Sequence, residues 1–270
     1  MGLIRISRPW TQQPQGPVGV DQANPLTKGI KFLYNASSNS DVAGLGLPNL
    51  SKTGVRGPKS GGLAYLGDGS SYLSWNAPVS LFNTSEMTVV NVFIINAAYG
   101  SVVGFAQGYR WSTPAIAAKI YSYDGYSYWL YLDNTYVADI SWPSGSVSPA
   151  TIVGCVTSQS GVANGTKLYI NGRVGATTGT YTFPTLTTLT VGLGADLGTG
   201  GVIPSGTAVL MSAMWNRVLS PSEIASISAN PWQLFAPQVT NLWTPEAAAP
   251  TGWLGAWGSR PARNIGTGVK

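Results

Sequence analysis

Short apolar runs separated by turn formers set the pattern of this chain. Met87-Thr-Val-Val-Asn-Val-Phe-Ile-Ile95, Ala150-Thr-Ile-Val-Gly-Cys-Val156, Lys167-Leu-Tyr-Ile170, Leu186-Thr-Thr-Leu-Thr-Val191 and Thr207-Ala-Val-Leu-Met-Ser-Ala-Met-Trp215 are the clearest of them. Runs of this length and spacing predict the strands of an all-β, two-sheet antiparallel sandwich. One segment breaks the pattern. Ser220 sits where a helix N-cap belongs, Pro221 takes the first helical position, and Glu223 stands three residues after the cap, where its carboxylate reaches back to the Ser220 amide. Asn230 precedes Pro231 and is pushed out of the α region, so the predicted helix is short, spans about residues 221–229, and buries Ile224 and Ile227 on one side.

Two hairpins are legible from their turns. Asn171-Gly172 supplies the two positive φ angles of a type I′ turn after Lys167-Leu-Tyr-Ile170. In Lys119 to Leu132, a turn at Asp124-Gly125 pairs Tyr123 with Tyr126 and Tyr121 with Tyr128. All four tyrosines then share one face, opposite Ile120 and Trp129, and form a candidate platform for sugar rings or for a neighbouring subunit. A further turn at Asp133-Asn134 sets Tyr131 opposite Tyr136. Which face of residues 119–138 meets the core stays open, because both are aromatic.

Several of these segments carry a resemblance. The strand ending in Trp215-Asn-Arg217, the capped helix, the closing Asn230-Pro-Trp232, the Leu168-Tyr-Ile-Asn-Gly172 strand and turn, Gly67-Asp-Gly-Ser-Ser-Tyr-Leu-Ser-Trp75 and Met87 to Ile95 occur in an order that resembles the laminin G-like or concanavalin A-like lectin domains of bacteriophages and prophages. The resemblance implies a jelly-roll sandwich over residues 29–235. Two segments lie outside it: an extended N-terminal arm, residues 1–28, and a Pro/Gly/Trp-containing C-terminal arm, residues 236–270. The resemblance further implies a phage structural protein, such as a capsid decoration, head-fibre or tail accessory subunit, in contact with other virion proteins and with copies of itself. The alternative it leaves open is an adhesion module that binds host surface glycans.

Composition sharpens this picture. Only 9% of the residues are charged against an average near 25%, while Gly, Pro, Trp and Tyr abound, as all-β proteins with many turns require. The arms hold Trp10, Trp243, Trp253 and Trp257, and tryptophan is enriched at interface hot spots, so these four are the candidate anchors for partners. The net charge of +5 is unevenly placed: seven Lys or Arg against Asp21 and Asp41 in residues 1–59, five against seven acids in 60–245, and three against Glu246 beyond. A mildly acidic body with basic ends and no nucleic-acid motif argues against nucleic-acid binding. No run of about 20 apolar residues predicts a membrane span, and the N-terminus lacks the apolar core of a secretory signal, so the expected location is the virion, assembled in the host cytoplasm. The lone Cys155 reads as a small buried hydrophobe.

Candidate chemistry is sparse. With no histidine, Ser-His-Asp and Cys-His catalysis and the usual zinc sites are excluded. Glycosidases need two carboxylates a few ångströms apart, yet of three glutamates Glu223 serves the cap, Glu246 lies in the tail and Glu86 stands alone before a strand. Asp124 and Asp133 fit hairpin turns, and Asp196 a loop. The sequence therefore predicts no enzyme, no metal site and no cofactor; a calcium ion stays open, with Asp196 as a single ligand and no acidic cluster to support it.

Overall fold

A computed structural model gives the fold, and it describes residues 12–46, 49–50, 55–59, 62–66, 73–78, 80, 85–94, 102–103, 107–109, 118–122, 127–132, 135–141, 151–177, 179–183, 190–193, 195–196, 201–202 and 208–237. The chain divides into two units, Met1–Pro237 and Gln238–Lys270, of which the second lies outside the described residues.

Among the described residues of the first unit every strand pairing is antiparallel. The largest sheet has nine strands. Its main path runs Arg173–Val174, Lys167–Ile170, Thr151–Gln159, Glu86–Ile94, Ala208–Trp215, Ile30–Asn35 and Ser40–Asp41, while Gly62–Leu66 pairs with Ala208–Trp215 and with Val55–Lys59. A four-stranded sheet follows the order Gln107–Tyr109, Thr190–Leu193, Leu73–Asn76, Asn49–Leu50. A five-stranded sheet follows the order Ala176–Thr177, Thr135–Ser141, Ser127–Leu132, Ala118–Ser122, Val102–Val103. Among the described residues the architecture is the expected all-β sandwich with one short α-helix.

The central strands read as nearly continuous apolar runs because both of their faces are covered. On one face Phe32 and Tyr34 meet Trp75 of the four-stranded sheet edge-on, at ring-centroid distances of 4.9 and 5.5 Å. All three rings are buried, which makes this the contact between the two layers. On the other face Leu33, Val90, Val92, Cys155, Met211, Ala213 and Trp215 form one cluster with Val18, Leu26, Ile224, Ile227, Trp232 and Phe235. Burial pushes the Cys155 thiol up, so it stays protonated among these side chains.

Residues 12–28, which the sequence assigns to the N-terminal arm, lie on this second face. Val18–Val20 pairs with Phe235–Pro237. Gln13 is 3% exposed and its amide spans three strands: Nε2 donates to Asn35 Oδ1 at 3.0 Å, Leu63 O at 2.8 Å and Leu210 O at 3.2 Å, and Oε1 accepts the Leu63 amide at 2.6 Å. Trp215 Nε1 donates to Leu26 O at 2.8 Å, and Asn24 Nδ2 to Gln233 O at 2.9 Å. The segment lacks periodicity because side-chain amides and a three-residue ladder fasten it, and neither leaves an apolar rhythm in the sequence.

The helix spans Pro221–Ala229 and buries Ile224 and Ile227. Its capping box is complete: Ser220 Oγ accepts the Glu223 amide at 3.3 Å, and Glu223 Oε2 accepts the Ser220 amide at 2.8 Å. Asn230, at φ −152°, ends it before a 3₁₀ turn over Pro231–Leu234.

Candidate functional site: a cleft beside the helix N-terminus

Strand register gathers the site. Thr157 pairs with Lys167 and Cys155 with Tyr169, so Thr157, Lys167 and Tyr169 share the helix-bearing face, while Val156 and Leu168 alternate into the sandwich interior. Between these strands and the segment leading into the helix lies an open cleft of about 400 Å³. Thr157, Gln159, Asn164, Lys167, Tyr169, Ser220 and Glu223 supply its polar lining, and Val162 and Leu219 part of its apolar lining.

The walls are held by polar side chains from neighbouring strands. Glu86 Oε1 accepts Gln159 Nε2 at 2.9 Å, and Oε2 accepts the Val218 amide at 3.4 Å, so it joins the strand to the helix lead-in. Thr88 repeats the device, donating to Arg217 O at 2.7 Å and accepting the Leu219 amide at 3.0 Å. Arg217 grips both oxygens of Glu223, at 3.0 and 2.7 Å, and its Nε donates to Lys28 O at 2.8 Å. On the opposite wall the loop 160–166 is tight. A Cβ on Gly165 would fall 2.8 Å from Gln159 O, so glycine is required there, and Asn164 takes a left-handed φ of 54°. Asn171 and Gly172, at φ 48° and 79°, form the type I′ turn after Lys167–Ile170.

Electrostatically the cleft carries one exposed ammonium, Lys167, and one carboxylate, Glu223. Arg217's hydrogen bonds hold the Glu223 carboxyl down to about 2 against its ordinary 4.5; partial burial works the other way and the Ser220 amide adds to the lowering. Because the folded-state value is depressed, ionised Glu223 stabilises the fold above about pH 4.5, and that contribution drains away as the pH falls toward 2. A Tm-against-pH series will show a steeper loss over this window for the wild type than for Glu223→Gln, and parallel curves would contradict the assignment. Burial raises the Tyr169 phenol above its ordinary range, the neighbouring Cys155 adds to this, and a hydrogen bond with Thr157 opposes it, so Tyr169 presents a protonated hydroxyl.

The tyrosine hairpin is organised differently from the expected register. Tyr121 pairs with Trp129 and Ser122 with Tyr128, which sets Tyr121 and Tyr128 at positions on opposite faces of the sheet. This pairing is one residue off the register that a two-residue turn at Asp124-Gly125 implies, and a slip of one exchanges the faces. Tyr123 and Tyr126 lie outside the described residues. Tyr131 does pair with Tyr136 across Asp133-Asn134. Trp10, Trp243, Trp253 and Trp257 also lie outside the described residues. Among those described, no three His, Cys, Asp or Glu side chains are grouped to hold a metal, and no helix is long and apolar enough to cross a membrane.

No family model matches the sequence. No curated protein matches it either. Solved structures do. A Trypanosoma rangeli sialidase in complex with a difluoro-KDN ligand superposes with a TM-score of 0.54 at 17% identity, over 79% of this chain and 36% of that one. The binding domain of botulinum neurotoxin serotype D/C gives 0.57 at 11%, over 75% and 52%. A chain solved in work on botulinum neurotoxin type C, whose cell entry depends on interaction with two ganglioside molecules, gives 0.56 at 11%, over 75% and 51%. The chain thus spans about a third of the sialidase and half of the toxin chains. At these identities the likeness establishes the fold, a lectin-like β-sandwich. It also corrects the expectation of no enzyme: sialidases stand among the proteins that share this fold, so the want of histidine and of paired glutamates excludes nothing at the level of fold.

Proposed function

We propose that this chain is a carbohydrate-binding domain and that the cleft beside the helix N-terminus is where it holds a glycan. The observation that carries the reading is the composition of that cleft. Thr157, Tyr169, Ser220, Gln159, Asn164 and Lys167 line one recess of about 400 Å³ together with Val162 and Leu219. A sugar presents the same alternation, hydroxyls around its rim and C–H groups on its faces, and a site of this kind orients its ligand through a few placed polar groups. Two neighbours in fold are a toxin binding domain and a chain from work on a ganglioside-dependent toxin, which supports the same reading.

A glycan array tests it with the wild type and an Asn164→Gly/Lys167→Ala double variant, both positions being exposed and glycine keeping the left-handed φ of residue 164 without strain. The variant is expected to lose at least about tenfold in affinity for the glycans the wild type binds, a change of ~1.4 kcal/mol. Equal signals from the two proteins, or a silent wild type, would contradict the site. The setting in a virion, with contacts through Trp10, Trp243, Trp253 and Trp257, rests on the sequence resemblance alone.

A further inference from the structure

The loop 160–166 that walls the cleft does not end there. Antiparallel to it runs the segment 179–183, fastened by Gly161 N to Tyr181 O at 2.9 Å, Asn164 N to Gly179 O at 2.8 Å, Phe183 N to Ser160 Oγ at 2.9 Å, and a bridge between Ala163 and Thr180. These links set Val162, a cleft-lining residue that is 42% exposed, alongside Tyr181. Tyr181 and Phe183, two apart in an extended segment, have ring centroids 5.9 Å apart with planes inclined at 57°, and both remain only half-buried.

From this geometry we infer that Tyr181 and Phe183 form a ledge continuous with the cleft, which receives the C–H face of the next sugar when a terminal sugar occupies the cleft. The inference rests on the carbohydrate reading above and sharpens it: the ligand class is an oligosaccharide. The recess is the size of a small ligand, and its polar lining satisfies one ring. Val162, the Tyr181 position paired with it and the Phe183 ring against Tyr181 together present an apolar surface, which matches a pyranose face and gains by burying it. Two side chains fixed by backbone ladders need little ordering to do so.

The test is a printed array of mono- to tetrasaccharides read with the wild type, Tyr181→Ala, Tyr181→Phe and Phe183→Leu, with Tm recorded for each. The wild type is expected to bind longer glycans about tenfold more tightly than their terminal monosaccharides. Tyr181→Ala is expected to remove that length dependence while leaving monosaccharide binding, and Tyr181→Phe to keep it. Should Tyr181→Ala fold poorly, Phe183→Leu supplies the same reading with an apolar side chain retained. A wild type indifferent to glycan length, or a folded Tyr181→Ala or Phe183→Leu with the dependence intact, overturns the ledge and leaves the cleft standing. A wild type that binds no glycan overturns both, and loss of monosaccharide and oligosaccharide binding alike in Tyr181→Ala overturns the ledge as a separate subsite.

Discussion

A chain that starts at residue 29 will not fold cooperatively. The N-terminal segment contributes Val18 and Leu26 to the buried cluster, at 4% and 8% exposure, and each such side chain is worth about 1.5–3 kcal/mol on burial. Its loss also removes partners: the buried Trp215 Nε1 loses Leu26 O, and the Leu63 amide loses Gln13 Oε1. A buried group left without its partner costs about 1–3 kcal/mol. Together these reach the whole stability of an ordinary domain, about 5–15 kcal/mol. Thermal unfolding of the truncated chain will show no sharp transition, whereas a sharp one near the full-length Tm would show that residues 12–28 are dispensable.

Trp75→Ala will be the most damaging single core substitution. Trp75 is 1% exposed, meets Phe32 and Tyr34 from the facing sheet, and donates through Nε1 to Gly46 O at 3.1 Å. Truncating a buried tryptophan leaves a cavity and costs about 3–5 kcal/mol. Denaturant unfolding will report this as a shift in midpoint at unchanged slope. A loss under about 1 kcal/mol would mean that the two sheets do not depend on this contact, since surface-like substitutions fall in that range.

The parts of this molecule legible in sequence are those with a local physical signature. The helix Pro221–Ala229 was, because a proline, a cap and a second proline punctuate it. The strands Glu86–Ile94, Thr151–Gln159 and Ala208–Trp215 were, because covering both faces of a sheet demands unbroken apolar runs. Gln13 was not, since an isolated amide carries no sign of the three strands it will bridge. The tyrosine hairpin shows the limit from the other side: the choice of turn residues fixes register, and one residue of error moves Tyr121 from beside Tyr128 to beside Trp129.

The cleft was illegible for the same reason as Gln13. Its residues come from Thr157, the loop 160–166, Lys167 and the helix lead-in some fifty positions later in the chain, and they meet because Glu86 and Thr88 tie Val218 and Leu219 to a strand. The capping motif drew attention to Ser220 and Glu223 as structure. Arg217, which joins Glu223 to the N-terminal segment through Lys28, had no sequence signal beyond its place in Trp215-Asn-Arg217.

Amide chemical-shift mapping during titration with the strongest array glycan locates the bound sugar on the chain. The largest shifts will fall on Ser158 to Lys167 and on Val218 to Glu223, the two walls of the cleft. Shifts confined to the hairpin of residues 119–138, or none at saturating glycan, would contradict this placement.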